Sequence, residues 1–274
     1  MFKTRVLSGA VIAAAMLLFA WLGGVYLAAL MLIVSVIGLY EFYHAVGLLP
    51  DGKCIDLITG IGYTGTVVYY VLIYLLGQEM FYIAFISVVV MLAVLAVYVF
   101  SFPKYEAKGA VSSFFGFFYV SVMLSFIFLT RNLQDGIFIV WLIFISSWFC
   151  DVFAYATGML IGKHRLAPVL SPKKSIEGAV GGIVFPAIFG GVYGYLISPY
   201  LKTDYPIVAG FIILCAVGAC VSQIGDLSAS AIKRNHDIKD YGSIIPGHGG
   251  ILDRFDSVIF TAPMIYFIAS FLQG

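Results

Sequence analysis

Two stretches of this chain gather the residues that can do chemistry. The first runs from Asp151, set inside an apolar segment, through Gly162-Lys163-His164-Arg165 to Ser171-Pro172-Lys173-Lys174-Ser175 and Glu177. The second opens on Gly225-Asp226 and passes Ser230, Lys233-Arg234 and Lys239-Asp240. It continues through Pro246-Gly247-His248-Gly249-Gly250 and closes on Asp253-Arg254-Phe255-Asp256. Carboxylates clustered at a water-accessible edge offer hard oxygen ligands, which suit Mg²⁺ rather than zinc or copper. Mg²⁺ usually takes one or two carboxylates and completes its shell with water and substrate phosphates. Lysines and arginines on the same stretches would neutralise the remaining phosphate charge. The mixture suggests a polyphosphate substrate.

Spacing sharpens this. If the helix carrying Asp226 continues, Asp226, Ser230 and Lys233 share a face at steps of four and three. Asp253 and Asp256, three apart at a helix start, also share one. Asp226, Asp253 and Asp256 are the candidate metal ligands. Ser171 followed by Pro172 can start a helix, with serine as cap and proline in the first turn. Alternatively Ser175 caps the next span directly. Either way Lys173 and Lys174 are expected beside backbone N–H groups at a helix start, a setting that suits an anion. The plainer reading of these lysines is the positive flank of a membrane span, and of the second loop a set of interfacial snorkelling charges. The Gly-rich run at 247–250 argues against the plainer reading, since a backbone closing around phosphates uses such residues. Asp151 is costly in an apolar span unless it faces a cavity or a partner, and is an additional polar candidate. His248 is left open between phosphate donor, acid or base, and loop former. His236 reads as a solvated loop residue. Glu41 and His44, near the end of the second span, read as an intrahelical pair or an auxiliary polar site, with structure the favoured role.

These stretches must be held by membrane helices. Of 274 residues, 62% are hydrophobic and 11% charged, against about 45–50% and about 25% in average soluble domains. So much apolar surface exceeds what a globular interior hides. Soluble enzyme, disordered chain and nucleic-acid-binding module are excluded as whole-chain readings. A spanning helix needs about 20 apolar residues, and nine segments qualify, near 6–23, 25–46, 57–77, 81–100, 110–130, 136–160, 176–197, 205–225 and 256–273. The fold class is all-α: a polytopic integral membrane helical bundle of about nine transmembrane helices. Thirteen of the fifteen Lys and Arg fall on the side of the N-terminus; Arg131 and Lys202 fall on the other. By the positive-inside rule the N-terminus is cytoplasmic, and both polar loops face the cytoplasm. The run after Lys3 and Arg5 is too long for a cleaved signal and leads at once into a second span. The four cysteines show no framework or metal spacing. The expected organisation is one transmembrane domain over 1–274, with N-terminal spans in 1–135 and catalytic spans and loops in 136–274.

The residues also carry a family likeness. The stretch Ser230-x-Ile232-Lys233-Arg234-x₄-Lys239-Asp240-x-Gly242-x₂-Ile245-Pro246-x-His248-Gly249-Gly250-Ile251-x-Asp253-Arg254-Phe255-Asp256 resembles the signature of the phosphatidate cytidylyltransferases (CDP-diacylglycerol synthases) throughout. The first loop resembles the family through Asp151, Ala154-Tyr155, Gly158, Gly162-Lys163 and Ser171-Pro172-Lys173-Lys174. It departs at Ser175-Ile176, where the family more often has Thr-Trp. The N-terminal half shares only the general pattern of spans. The resemblance implies the reaction CTP + phosphatidate → CDP-diacylglycerol + pyrophosphate with a divalent cation, Mg²⁺, and room for a second cation, divalent or K⁺. On that reading Asp226, Asp253 and Asp256 hold Mg²⁺. Lys233, Arg234, Lys173 and Lys174, with Ser171, Ser230, Gly249 and Gly250, hold CTP phosphates or leaving pyrophosphate. Lys239, Asp240 and Arg254 orient nucleotide or lipid phosphate, and His248 counts among the catalytic candidates with its role open. CTP, phosphatidic acid and the bilayer are the expected partners, with no nucleic acid, a homodimer as assembly, and the inner membrane as location with the site facing the cytoplasm. The competing readings are a CTP-dependent polyprenol or phytol kinase and, from another class, an ion-coupled transporter. The latter lacks repeat symmetry and mid-membrane polar residues here. A CDP-alcohol phosphotransferase needs Asp-Gly-x₂-Ala-Arg, which Gly225-Asp226-Leu227 does not supply.

Overall fold

The computed structural model describes residues 2–49, 55–77, 80–202, 205–244 and 249–273. Its helices, in chain order, are α1 (Phe2–Leu22), α2 (Gly24–Ala45), α3 (Leu57–Leu75), α4 (Met80–Phe100), α5 (Ala107–Arg131), α6 (Gly136–Ile161), α7 (Ile176–Ile197), α8 (Ile207–Asn235) and α9 (Leu252–Gln273). From α2 onward all eight are long and apolar enough to cross a membrane, and the apolar part of α1 is Val11–Leu22. The chain is thus a polytopic helical membrane protein. Gly23 and Gly24 join α1 to α2 at positive φ, 66° and 50°, a conformation that glycine adopts without a Cβ penalty. Two helices outrun their apolar spans: α8 continues through Asp226, Ser230 and Lys233 to Asn235, and α9 begins at Leu252 so that Asp253 and Asp256 stand at its start. Helix continues there after the apolar run has stopped.

One element departs from an all-helical reading. Between α6 and α7 lies an antiparallel hairpin of β1 (Arg165–Ala167) and β2 (Ser171–Ser175), pairing Arg165 with Ser175 and Ala167 with Ser171. Ser171-Pro172 therefore does not start a helix. The helix starts after Ser175, whose Oγ accepts the Gly178 N–H at 3.1 Å. Serine is a strong N-cap because its oxygen satisfies an otherwise orphaned amide, and pairing with β1 keeps the preceding residues extended.

The chain forms two compact units. The first comprises residues 1–125 and 236–253, the second 126–235 and 254–274. Residues 236–253 belong to the same unit as the N-terminal spans.

In the first unit, hydroxyl pairs stitch the helices inside an apolar surrounding. Thr66 and Ser121 lie 2.7 Å apart, Tyr69 and Ser125 2.7 Å, and Ser35 and Tyr70 2.9 Å. Tyr43 Oη donates to the Ser113 carbonyl at 2.8 Å. Each such bond contributes about 0.6 kcal/mol inside a membrane bundle. Glu41 is the costly member, a carboxylate 1% exposed on α2. It accepts the Ile251 N–H at 2.9 Å and the Leu252 N–H at 2.8 Å, so it caps the start of α9. His44, its expected partner, instead bonds the Leu49 carbonyl through Nδ1 at 3.0 Å. Glu41→Ala leaves two buried amides unpaired, each costing about 1–3 kcal/mol. The expected result is a clear drop in Tm by thermal unfolding in detergent, with Glu41→Gln intermediate because it keeps one acceptor oxygen.

In the second unit α7 packs against both α6 and α8 through glycine. A Cβ on Gly178 would lie 2.6 Å from the Ala154 carbonyl oxygen, and one on Gly190 would lie 2.8 Å from that of Phe211. Small residues allow this approach of backbones. A π turn at Ile145–Phe149 interrupts α6 just before Asp151. There Ser146 and Ser147 donate their hydroxyls to the carbonyls of Leu142 and Ile143, at 2.6 and 2.8 Å. Serine hydroxyls can satisfy the backbone carbonyls that such a turn frees.

Candidate active-site cleft

In the second unit, α6, the hairpin, α7 and α8 enclose a cleft of about 400 Å³. Asp151 of α6, Lys173 and Lys174 of β2, and Gln223 and Asp226 of α8 supply its polar wall. Ala154, Tyr155, Met159 and Leu166 supply an apolar one. The hairpin sets the lysines. Arg165 Nη1 reaches the Lys173 carbonyl at 3.5 Å, and the Ile176 N–H bonds the His164 carbonyl at 2.9 Å. Glu177 closes the base of the hairpin by accepting the N–H groups of Lys163 and His164 at 3.0 and 3.2 Å and bonding His164 Nδ1 at 2.6 Å. On the α8 side, Gln223 Nε2 donates to the Ala179 carbonyl of α7 at 3.0 Å.

The central contact is an ion pair between Lys174 Nζ and Asp226 Oδ2, with the two side chains 28% and 26% exposed. Asp226, Asp151 and Asp256 lie within electrostatic range of one another. Lys174 and Arg254 act on Asp151, and Lys233 acts on Asp256. The Ser257 hydroxyl reaches Asp151 Oδ2 at 3.5 Å, and the Ser257 N–H bonds Asp256 Oδ1 at 2.8 Å. Arg254 Nε is buried without a hydrogen-bond partner among the described residues. The cleft thus combines the carboxylates of Asp151 and Asp226 with the ammonium groups of Lys173 and Lys174. Among the described residues, no three His, Cys, Asp or Glu side chains gather as a ready metal-ligand set.

The other sequence-derived candidates are distributed as follows. Ser230 and Lys233 continue along α8 from Asp226, and Arg234 is exposed near its end. Lys239 is exposed, as is Asp240, which lines a separate cavity of the first unit with Tyr40 and His44. Asp253, 7% exposed, belongs to the first unit. Its Oδ2 accepts the N–H groups of Tyr241 at 2.8 Å and Gly250 at 2.9 Å. Gly249 sits at φ 83°, where a Cβ would come 2.9 Å from that oxygen. Gly250 faces the Glu41 carboxylate, so both glycines let the backbone close on buried acids. Ser171 lies on β2. His248, with Ile245, Pro246 and Gly247, lies outside the described residues. Sequence reasoning missed Gln223 and Ser257, and it named Tyr155 only as part of the family likeness. Gln223, three residues before Asp226 on the same helix, carried a signal that could have been read.

Comparison with known proteins adds a second line. A family model described as "Cytidylyltransferase family" matches residues 3–272. A phosphatidate cytidylyltransferase of Thermotoga maritima is 35% identical over 172 residues, 63% of this chain and 63% of that protein. One of Bacillus subtilis is 38% identical over 152 residues, 55% of this chain and 54% of its own. One of Rickettsia bellii is 41% identical over 144 residues, 52% of this chain and 62% of its own. The chain thus matches less than two thirds of the length of each of these curated relatives.

Proposed function

This chain belongs to the cytidylyltransferase family, and from that premise we propose that it transfers CMP from CTP to phosphatidate, giving CDP-diacylglycerol and pyrophosphate. The observation that carries the reading is the Lys174–Asp226 pair at the junction of a charged and an apolar wall in one cleft. Such a cleft suits a lipid phosphate, whose charged and apolar parts need opposite surroundings.

A phosphatidate oxygen attacks the α-phosphorus of CTP, a new P–O bond forms, and the bond to the bridging oxygen breaks to release pyrophosphate. The nucleophile is already an anion, so no strong base is required. Catalysis then rests on alignment and on charge neutralisation. Lys174 and Lys173 hold phosphate oxygens from the hairpin side. Arg254, with its buried unpaired Nε, gives a further donor, since an incoming phosphate oxygen would satisfy it. Asp226 and Asp256 fit Mg²⁺ by donor chemistry. Two carboxylates with the rest of the shell from phosphates and water is its usual habit, and such a site needs no protein cluster of three. When bound, Mg²⁺ would screen the phosphate charge as the nucleophile approaches. The count of Lys and Arg by loop supports a cytoplasmic site, where CTP is found.

The test is purified protein in detergent with labelled CTP and dispersed phosphatidate. Mg²⁺-dependent formation of CDP-diacylglycerol with an equal amount of pyrophosphate is expected, and chelation of the metal should abolish it. Release of CDP with a phosphorylated lipid would mark a kinase instead, and no CTP-dependent product would refute the proposal.

A further inference from the structure

The hairpin between α6 and α7 carries a feature that phosphate binding does not use. Its tip is Pro168-Val169-Leu170, with Val169 90% exposed and Pro168 also exposed. Soluble hairpin tips usually carry Gly, Asn, Asp or Ser. A lone exposed valine is ordinary, but this one has both a place and a charge pattern. The hairpin leaves α6 at Ile161 and enters α7 at Ile176, and both helices are long and apolar enough to span a membrane, which keeps the loop at the bilayer surface. Lys163 and Arg165, toward the base of the hairpin, and Lys173 on β2 are exposed. The nearby carboxylate, Glu177, is engaged by His164 and two backbone N–H groups.

We propose that this hairpin is an interfacial anchor: Pro168 and Val169 enter the acyl–headgroup boundary of an anionic bilayer while Lys163, Arg165 and Lys173 bind lipid phosphates. Apolar insertion flanked by cations is how interfacial elements bind such membranes. Each Lys or Arg near an anionic surface strengthens attraction about fivefold. Leu166 and Lys173 of the same hairpin also line the cleft. Insertion therefore sets the mouth of the cleft at headgroup depth, where a phosphatidate diffusing in the leaflet can enter sideways. That consequence rests on the cytidylyltransferase reading; the insertion itself does not.

The first experiment places a nitroxide on Val169→Cys in a Cys54→Ser, Cys220→Ser background, with the unsubstituted Val169 protein as blank. The protein is reconstituted in nanodiscs of phosphatidylcholine with or without phosphatidylglycerol. With phosphatidylglycerol the label should be shielded from a water-soluble nickel chelate and open to oxygen. Combined Lys163→Gln and Arg165→Gln should return it toward water. Equal nickel access in both lipids would overturn the proposal, as would dipolar broadening that places two copies of the tip together. In a second experiment Val169→Ser should raise the apparent KM for bilayer phosphatidate about tenfold, the equilibrium weight of burying one valine. The kcat, the KM for CTP and the KM for water-dispersed short-chain phosphatidate should stay unchanged. An equal kcat loss with both lipid forms would assign the tip to the cleft and refute anchoring. Absence of turnover in the parent would refute the catalytic reading while the label still reports on insertion.

Discussion

Asp226→Asn should cut kcat about a thousandfold, the upper end of what losing one charged or oriented group costs an active site, with the fold intact. Asparagine keeps the shape of the side chain and an acceptor oxygen for Lys174, so the contact between β2 and α8 survives. What disappears is a negative charge that pairs with the Lys174 ammonium and, on the proposed reading, would offer a hard oxygen to Mg²⁺. The partner gives the contrast. Lys174→Gln should raise the KM for CTP and lower kcat without changing the Mg²⁺ concentration needed for half-maximal rate, whereas Asp226→Asn should raise that concentration. If the two act as a unit, the double variant will be barely worse than the poorer single one, because groups that work together lose their effect together. Titrating Mg²⁺ against rate for the three variants, with Tm as control, decides the matter. Near-normal turnover in Asp226→Asn would reduce the pair to a structural tie. Lys173→Gln is the milder case, since Lys173 is exposed on the hairpin.

The spans were legible because a membrane helix declares itself by composition over about 20 residues. Their polar ends were legible only through the spacing of charged residues, because Asp226 to Asn235 and Leu252 to Asp256 are helix that hydropathy no longer follows. The hairpin was illegible for another reason. Arg165–Ala167 and Ser171–Ser175 show no alternation, and Ser171-Pro172 looks locally like a helix start; pairing with β1 decides against it. Glu41 shows the limit of spacing arguments. Its nearness to His44 on one helix was visible, but its partners are amides 210 and 211 residues away, which periodicity does not reach. Candidate chemistry was easier to read than candidate geometry. Asp151 stood out as a charge in an apolar span, Lys174 and Asp226 as members of two polar loops, and the structure brings the three to one cleft. Gln223, uncharged, gave a weaker signal, although it ties α8 to α7 beside them.

Asp253 offers a sharper discrimination, because its observed and proposed roles respond differently to the same substitution. One oxygen accepts two backbone N–H groups, from Tyr241 and Gly250, and so closes the loop that leads into α9. An amide oxygen can accept the same two bonds, since an sp² oxygen has two lone pairs. Asp253→Asn should therefore hold Tm near the parent value. Asp253→Ala orphans both amides at about 1–3 kcal/mol each and should lower Tm markedly. If Asp253 acted by holding the loop alone, activity would follow stability, with Asn near normal and Ala impaired. If its charge serves Mg²⁺, as the family resemblance implies, Asn should lose turnover about a hundredfold or more while remaining folded. Raised Mg²⁺ should then recover part of the rate in Asn and none in Ala. Measuring kcat across a Mg²⁺ series together with Tm separates the two. A folded Asp253→Asn protein with near-normal turnover would remove Asp253 from the metal set and leave it as the clasp of the loop.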